Sequence, residues 1–74
     1  MKIDWRKYPD ESGFYAYVKE TECTLEVTCG LNGFYTARIF QEAREIHKDS
    51  GYPSKYRAMI AVQKAMIEKH TETL

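Results

Sequence analysis

The segment Cys23-Thr24-Leu25-Glu26-Val27-Thr28-Cys29 alternates apolar and polar residues without a break. Successive side chains of a pleated strand point to opposite faces, so this pattern sends one set of residues to each side. It predicts a β-strand with one buried face, formed by Cys23, Leu25 and Val27. The fold is therefore expected to contain a sheet in which this strand takes part.

The segments on either side of this strand are apolar or aromatic in both registers. Residues 13–20 contain the run Phe-Tyr-Ala-Tyr-Val, and residues 34–40 read Phe-Tyr-Thr-Ala-Arg-Ile-Phe. We expect two further strands here, joined to the first through Thr21-Glu22 and through Gly30-Leu31-Asn32-Gly33. The result is an antiparallel meander, preceded by an N-terminal arm over residues 1–12.

Residues 41–50 allow two interpretations. The run Glu42-Ala43-Arg44-Glu45 consists of good helix formers, and Gly51 would end a helix. No N-cap residue precedes this run, however, and Glu42-Ala43 suits the tip of a tight hairpin that leads into a fourth strand from Arg44 to Asp49. We expect the strand, on the strength of a family resemblance described below, with the helix as the alternative.

A long helix is predicted over residues 54–70, with Ser54 as its N-cap. Apolar and amphipathic residues recur there at helical spacing, namely Tyr56, Met59, Ile60, Gln63, Met66 and Ile67. We expect this side to pack on the sheet and Arg57, Lys64 and Glu68 to face water. The fold class is therefore α+β: a meander of three to four strands, within residues 13–50, with one C-terminal helix packed on one face.

Size and composition indicate a single folded domain over residues 1–74, because 43% hydrophobic residues argue against disorder. Eleven basic and eleven acidic residues cancel, which disfavours binding driven by a phosphate backbone. No apolar run is long enough to span a bilayer and Met1 is not followed by a signal-peptide pattern, so no membrane partner and a cytoplasmic location are expected.

The cysteine and histidine residues give no sign of a metal site or a disulfide. Cys23 and Cys29 would lie roughly 20 Å apart on one strand, too far for a bond, and are expected to be buried reduced thiols. His47 and His70 do not complete a zinc-ligand spacing with them. Since no phosphate loop, nucleophile elbow or metalloprotease motif is present either, we expect no cofactor and no enzymatic activity.

The sheet face opposite the helix is the main candidate binding surface. If Leu25 faces the helix, alternation places several rings and one arginine on the other face, namely Tyr15, Tyr17, Phe34, Arg38 and Phe40. Tyrosine and arginine are enriched in binding hot spots. The alternatives are that the N-terminal arm, with Ile3, Trp5 and Tyr8, covers this face, or that the chain forms a homodimer there.

The start of the helix is a second candidate. Lys55 and Arg57 bring two cations and free backbone N–H groups to the positive end of the helix dipole, where a phosphate or an acidic side chain can bind. Ser54 and Lys64 are further possible contacts for such an anion. Two basic residues near a helix start also occur by chance. This segment defines the alternative function, a nucleic-acid-binding domain.

From residue 34 to residue 66 the chain resembles the YegP-like small bacterial domain of unknown function. The family's turn into its helix appears here as Gly51-Tyr52-Pro53-Ser54-Lys55, followed by Ala58, Ala61 and Val62 in matching helix positions. The resemblance implies a fourth strand before that turn. The chain departs from the family at the hairpin tip, where Glu42-Ala43 replaces Asn-Gly with one residue fewer.

The same stretch is similar to the C-terminal half of a double-stranded RNA-binding domain, in which three strands precede a Ser-Lys-Lys helix start and an Ala-rich helix. Ser54 and Lys55 match that start, but Tyr56 replaces the second lysine, and the family's first helix has no counterpart here. The resemblance implies phosphate contacts at the helix start.

From these patterns we expect a non-catalytic protein-binding module that uses its aromatic sheet face and has a protein as its partner. A small inhibitor or adaptor fits this description, for example a phage-type inhibitor of a host defence system. Nucleic-acid binding through the helix start is the alternative from a different class, and its affinity would fall steeply with added salt.

Overall fold

A computed structural model describes residues 3–72, with side chains up to Thr71, as one five-stranded antiparallel sheet and one helix. The elements are β1 Arg6–Lys7, β2 Gly13–Val18, β3 Cys23–Cys29, β4 Tyr35–Gln41, β5 Arg44–Tyr52 and α1 Lys55–Glu72. Neighbours in the chain are neighbours in the sheet, so the strands form a simple meander. The α+β class is confirmed, but the expected count of three to four strands is wrong.

The additional strand is β1, which lies within the predicted N-terminal arm. Arg6 pairs with Tyr15 and Lys7 pairs with Phe14, so the arm adds a short edge strand to β2. Two charged residues show no apolar alternation, and the sequence pattern therefore could not reveal a strand here. The first two residues of the arm lie outside the described part of the chain.

The β4–β5 hairpin decides between the two interpretations of residues 41–50 in favour of the strand. Glu42 and Ala43 form its two-residue tip with φ angles of 53° and 62°. Positive φ at both central residues is characteristic of the tight turns that match strand twist. The strand β5 then runs to Tyr52, past the predicted end, with irregular pairing opposite Ile39 and Phe40.

The core lies between the sheet and α1, where the alternation of residues 23–29 predicts it. Leu25, Val27 and Ile39 are fully buried, and they pack with Val62 and Met66 of the helix. Ile3 and Trp5 also pack against this core, so these two arm residues do not cover the opposite sheet face. The prediction of two buried thiols holds for Cys23 only, because Cys29 is exposed at the end of β3.

The N-cap of the helix is confirmed, but its predicted buried face is partly wrong. The backbone N–H of Arg57 donates to Ser54 Oγ at 3.2 Å. Tyr56 and Ile60 are 66% and 67% exposed, whereas Ala58 is fully buried. Apolar residues surround most of this helix, so their spacing alone could not identify the buried face. The small side chain of Ala58 allows the helix backbone to approach the sheet closely.

Candidate functional site

Two rows of paired residues run across the outer face, by which we mean the sheet face turned away from α1. Residues paired directly across neighbouring strands point to the same side of a sheet. One row consists of Tyr15, Glu26, Arg38 and Lys48, and the next consists of Tyr17, Thr24, Phe40 and Glu45. The alternation of side chains along the strands predicts that Tyr15, Tyr17, Arg38 and Phe40 share this face, and the register confirms it.

Arg38 is held at the centre of the outer face by three side chains. Its Nη1 lies 3.3 Å from Glu26 Oε1 and donates to Thr28 Oγ1 at 3.0 Å. Its Nε lies 3.3 Å from Glu45 Oε1. These contacts span β3, β4 and β5, so the arginine ties three strands together, and its charge is already balanced by carboxylates within the chain.

Tyr8 covers one part of this face. Its ring lies 4.8 Å, centroid to centroid, from the ring of Tyr15, and its hydroxyl donates to Glu26 Oε2 at 2.6 Å. Burial raises the pKa of Tyr8 far above its usual range, and the hydrogen bond to the Glu26 carboxylate raises this pKa further. Of the arm residues expected to cover the face, Tyr8 does so above Tyr15, while Tyr17 is still 59% exposed.

An open groove of about 540 Å³ runs over the uncovered part of the outer face. It lies at the end of the sheet where the β2–β3 turn and the β4–β5 hairpin tip meet. It is lined by Tyr8, Tyr17, Glu22, Thr24, Glu26, Phe40, Glu42 and Ala43. Three aromatic rings thus surround a polar floor, and we call this site the outer groove.

The charge of the outer groove is negative. Its lining includes the carboxylates of Glu22, Glu26 and Glu42 and no lysine or arginine. Glu26 is bonded to Tyr8 and Arg38, whereas no ion pair is seen for Glu22 or Glu42 within residues 3–72. Although the chain as a whole is neutral, this surface is therefore acidic and aromatic.

The structure brings together only some of the side chains predicted for this site. Tyr17 and Phe40 line the outer groove, Arg38 lies beside it, and Tyr15 lies beneath Tyr8. Phe34 precedes β4 and is 46% exposed. It lies at the other end of that strand from Phe40, roughly 20 Å away at the rise of an extended chain.

Of the eight lining residues, only Tyr17 and Phe40 were predicted as binding residues, and those that were missed include Tyr8, Glu22 and Glu42. Tyr8 was considered only as a residue that might cover the rings, and the two glutamates lie in turns. Both glutamates adopt positive φ, 56° at Glu22 and 53° at Glu42. A register count that places the β2–β3 turn and the β4–β5 tip at the same end of the sheet would have brought them together.

At the helix start, two of the residues predicted to contact an anion already make contacts within the chain. Lys55 Nζ lies 4.8 Å from the centroid of the Phe14 ring and 5.2 Å from that of Tyr56, so this ammonium packs on two rings. Ser54 uses its hydroxyl for the cap. Lys64 lies nine residues after Lys55, which places the two on opposite sides of a helix.

A second cavity, of about 260 Å³, opens between the end of α1 and the sheet. Its lining consists of Thr21, Cys23, Ile39, Gln41, Ile46, Met66, Lys69 and His70. Local contacts occupy the polar groups of Thr21 and Gln41, since Gln41 Nε2 donates to Thr21 O at 3.1 Å and Thr21 Oγ1 lies 3.3 Å from Met66 Sδ. In the part of the chain that the structure describes, no three His, Cys, Asp or Glu side chains are grouped as metal ligands.

Over residues 3–72, α1 is the only helix, and it is not apolar enough to cross a membrane. Comparison of the chain with family models, with curated proteins and with solved structures gives no significant match. The two resemblances noted in the sequence are therefore neither supported nor excluded.

Proposed function

We propose that this chain is a non-catalytic protein-binding module that docks its partner on the outer face, at the outer groove. The observation that carries the proposal is the cluster of Tyr8, Tyr17 and Phe40 around an open groove on a sheet whose other face is closed by α1. Aromatic rings that are partly exposed in this way form the anchors of protein interfaces, because they bury a large area at a low cost in side-chain entropy.

The rigidity of the site supports this proposal. Glu26, Arg38 and Glu45 link three strands beneath the rings, and Tyr8 is fastened to the same network. A preorganised surface loses little conformational entropy on binding. A small rigid module of this kind acts by occupying a surface of its partner, as an inhibitor of an enzyme or an adaptor does, and a phage-type inhibitor of a host defence system is one such case.

The nucleic-acid alternative has less support. The carboxylates of the outer groove repel phosphates, and Lys55 already packs on Phe14 and Tyr56. Arg57 and Lys64 are exposed on α1, but two cations neutralise too few phosphates to give strong backbone binding.

Both cysteines are free, in keeping with the reducing cytoplasm that the proposal assumes.

Affinity capture from the native cell tests the proposal. Tyr17→Ala combined with Phe40→Ala removes two walls of the outer groove, and we expect it to reduce recovery of the partner at least about tenfold, the effect of losing roughly 1.4 kcal/mol. The control is Tyr56→Ala combined with Ile60→Ala, which removes from α1 an apolar pair that is more exposed than Tyr17 and the half-buried Phe40. This control should retain the partner.

The opposite pattern contradicts the proposal, that is, capture lost in the helix variant and kept in the sheet variant. Salt dependence identifies the nucleic-acid alternative. If Lys55→Glu abolishes capture and the bound material is a nucleic acid released steeply by added salt, then the helix start is the interface and the outer groove is not.

A further inference from the structure

The walls of the outer groove are spaced to receive a flat side chain. Tyr17 and Phe40 each pair across β3 with Thr24, so their Cα atoms lie two strand spacings apart, or about 10 Å. Thr24 between them is short and half-buried. The two aromatic side chains therefore stand on either side of a lower floor, which leaves room for a planar or extended group between them.

The carboxylates around the slot determine the charge of its occupant. Glu26 lies on the floor in the neighbouring row, and Glu22 and Glu42 stand at the turns that close the end of the groove. Arg38 offsets the charge of Glu26, but within residues 3–72 no ion pair is seen for the other two glutamates. An apolar occupant would remove water from these carboxylates without replacing it, and an anionic one would be repelled.

We propose that the outer groove takes a basic side chain, arginine or lysine, from an exposed segment of the partner protein. Its charged group lies between the rings of Tyr17 and Phe40 and is paired with Glu22 and Glu42. The aromatic faces attract a cation through their quadrupole, and the carboxylates supply charged hydrogen-bond acceptors. This inference rests on the proposed function, because it names the chemistry of the partner at the same site.

Arginine suits the slot better than lysine. A guanidinium group is planar, stacks on ring faces and can donate to two carboxylates at once, whereas an ammonium is a compact and strongly hydrated charge. The positions of Glu22 and Glu42 in two different turns match a group with donors on several edges. We therefore expect an arginine peptide to bind more tightly than the lysine peptide of the same length.

The test is a titration of the isotopically labelled full chain, followed by amide chemical shifts. The probe is a short amidated peptide with two arginines among glycines, and the control peptide carries citrulline, which has nearly the same shape without the charge. Binding should move the signals of Thr24, Glu26 and Phe40. The citrulline peptide should bind at least about tenfold more weakly, because charged hydrogen bonds and cation–π contacts are both lost.

Matched charge variants separate the groove from general electrostatic attraction. Glu22→Gln with Glu42→Gln should weaken the arginine peptide at least about fivefold, because it removes the two carboxylates without an internal partner. Glu11→Gln with Glu68→Gln makes the same change in net charge away from the groove and should leave the affinity unchanged. All four positions are exposed, so these variants are expected to fold.

The outcomes distinguish this inference from the proposed function. Equal binding of the arginine and citrulline peptides, or unchanged affinity in the Glu22 and Glu42 variant, overturns the inference alone if partner capture still depends on Tyr17 and Phe40. Partner capture that survives the loss of Tyr17 and Phe40 overturns the proposed function and this inference with it.

Discussion

Glu26 is the residue on which the outer face is organised. It accepts hydrogen bonds from the hydroxyl of Tyr8 and from the guanidinium of Arg38, although it lies at the centre of a strand whose other face is the core. A half-buried carboxylate needs such partners, because an unpaired charge at this depth would be costly. The alternating pattern of residues 23–29 thus specifies both the core and the polar network behind it.

Removing the Tyr8 hydroxyl should weaken this network. Tyr8→Phe keeps the ring against Tyr15 but deletes the hydrogen bond to Glu26, and we expect the free energy of unfolding to fall by about 1 kcal/mol. The measurement is denaturant unfolding followed by the fluorescence of Trp5, the single tryptophan of the chain. Tyr17→Phe, which deletes the hydroxyl of an exposed tyrosine, is the control and should change little.

The effect of Tyr8→Phe on the free energy of unfolding should depend on pH. The pKa of Tyr8 is higher in the folded chain than in the unfolded one, so its contribution is fully present below about pH 10 and is lost as the pH rises towards the raised value. The difference in unfolding free energy between wild type and Tyr8→Phe should therefore shrink above pH 10. A difference that stays constant or grows there would contradict the assigned hydrogen bond.

Gly13 is required at the start of β2 because the neighbouring strand leaves no room for a side chain. A Cβ atom there would run into the carbonyl oxygen of Val27 and would lie 2.9 Å from Thr28 Cα. Backbone atoms cannot move aside as a side chain can, so Gly13→Ala should lower the free energy of unfolding by roughly 2–3 kcal/mol.

Gly30→Ala is the matched control for this substitution. A Cβ atom there would lie 3.1 Å from Asn32 Oδ1 and 3.3 Å from Phe34 O, which are longer distances than those at Gly13 and need only a small shift, although Asn32 Oδ1 also accepts a hydrogen bond from Phe34 N–H. Urea unfolding of both variants should show the larger loss for Gly13→Ala. Equal losses would mean that β2 and β3 do not approach each other as closely as described.

Among the elements, those with a strong period of two or a clear cap could be predicted, and the others could not. β3 follows from its alternation, and the start of α1 follows from Ser54. β1 could not be predicted because it consists of two charged residues and is defined only by its backbone pairing with β2. The buried side of α1 could not be predicted because apolar residues nearly surround the helix. Packing against the sheet determines that Ala58, Val62 and Met66 are the buried ones.

The β4–β5 hairpin carries strain that can be relieved. Glu42 and Ala43 both adopt positive φ, which costs an ordinary residue about 1 kcal/mol or more and costs glycine nothing. Ala43→Gly should therefore raise the free energy of unfolding by up to about 1 kcal/mol. The same substitution in the middle of α1, Ala61→Gly, should lower it by about 1 kcal/mol.

Thermal unfolding of these two glycine variants provides the measurement. Opposite shifts of the melting temperature are expected, upward for Ala43→Gly and downward for Ala61→Gly. A downward shift for both would show that residues 41–44 do not form the tight turn described here.

At the scale of the whole molecule, the two faces of the sheet differ in what covers them. α1 closes one face over a core that the alternation of β3 predicts, while on the other face, among residues 3–72, Tyr8 lies across the part that contains Tyr15. Tyr17 and Phe40 could be located from the sequence because strand period assigns them to this face. Glu22 and Glu42 were missed because they lie in turns, outside the alternating strand pattern, although a meander brings the β2–β3 and β4–β5 turns to the same end of the sheet.

Site-specific photo-crosslinking in the native cell tests the central claim most directly. Benzoylphenylalanine replaces Tyr17 in one protein, the half-buried Phe40 in a second and, in a third, Tyr56 of α1, which is about as exposed as Tyr17. We predict a covalent adduct to one partner protein from the two outer-face positions and none from Tyr56. Adducts from Tyr56 alone, or adducts at Tyr17 and Phe40 that join only two copies of this chain, would contradict the assignment of the outer groove as a docking site for another protein.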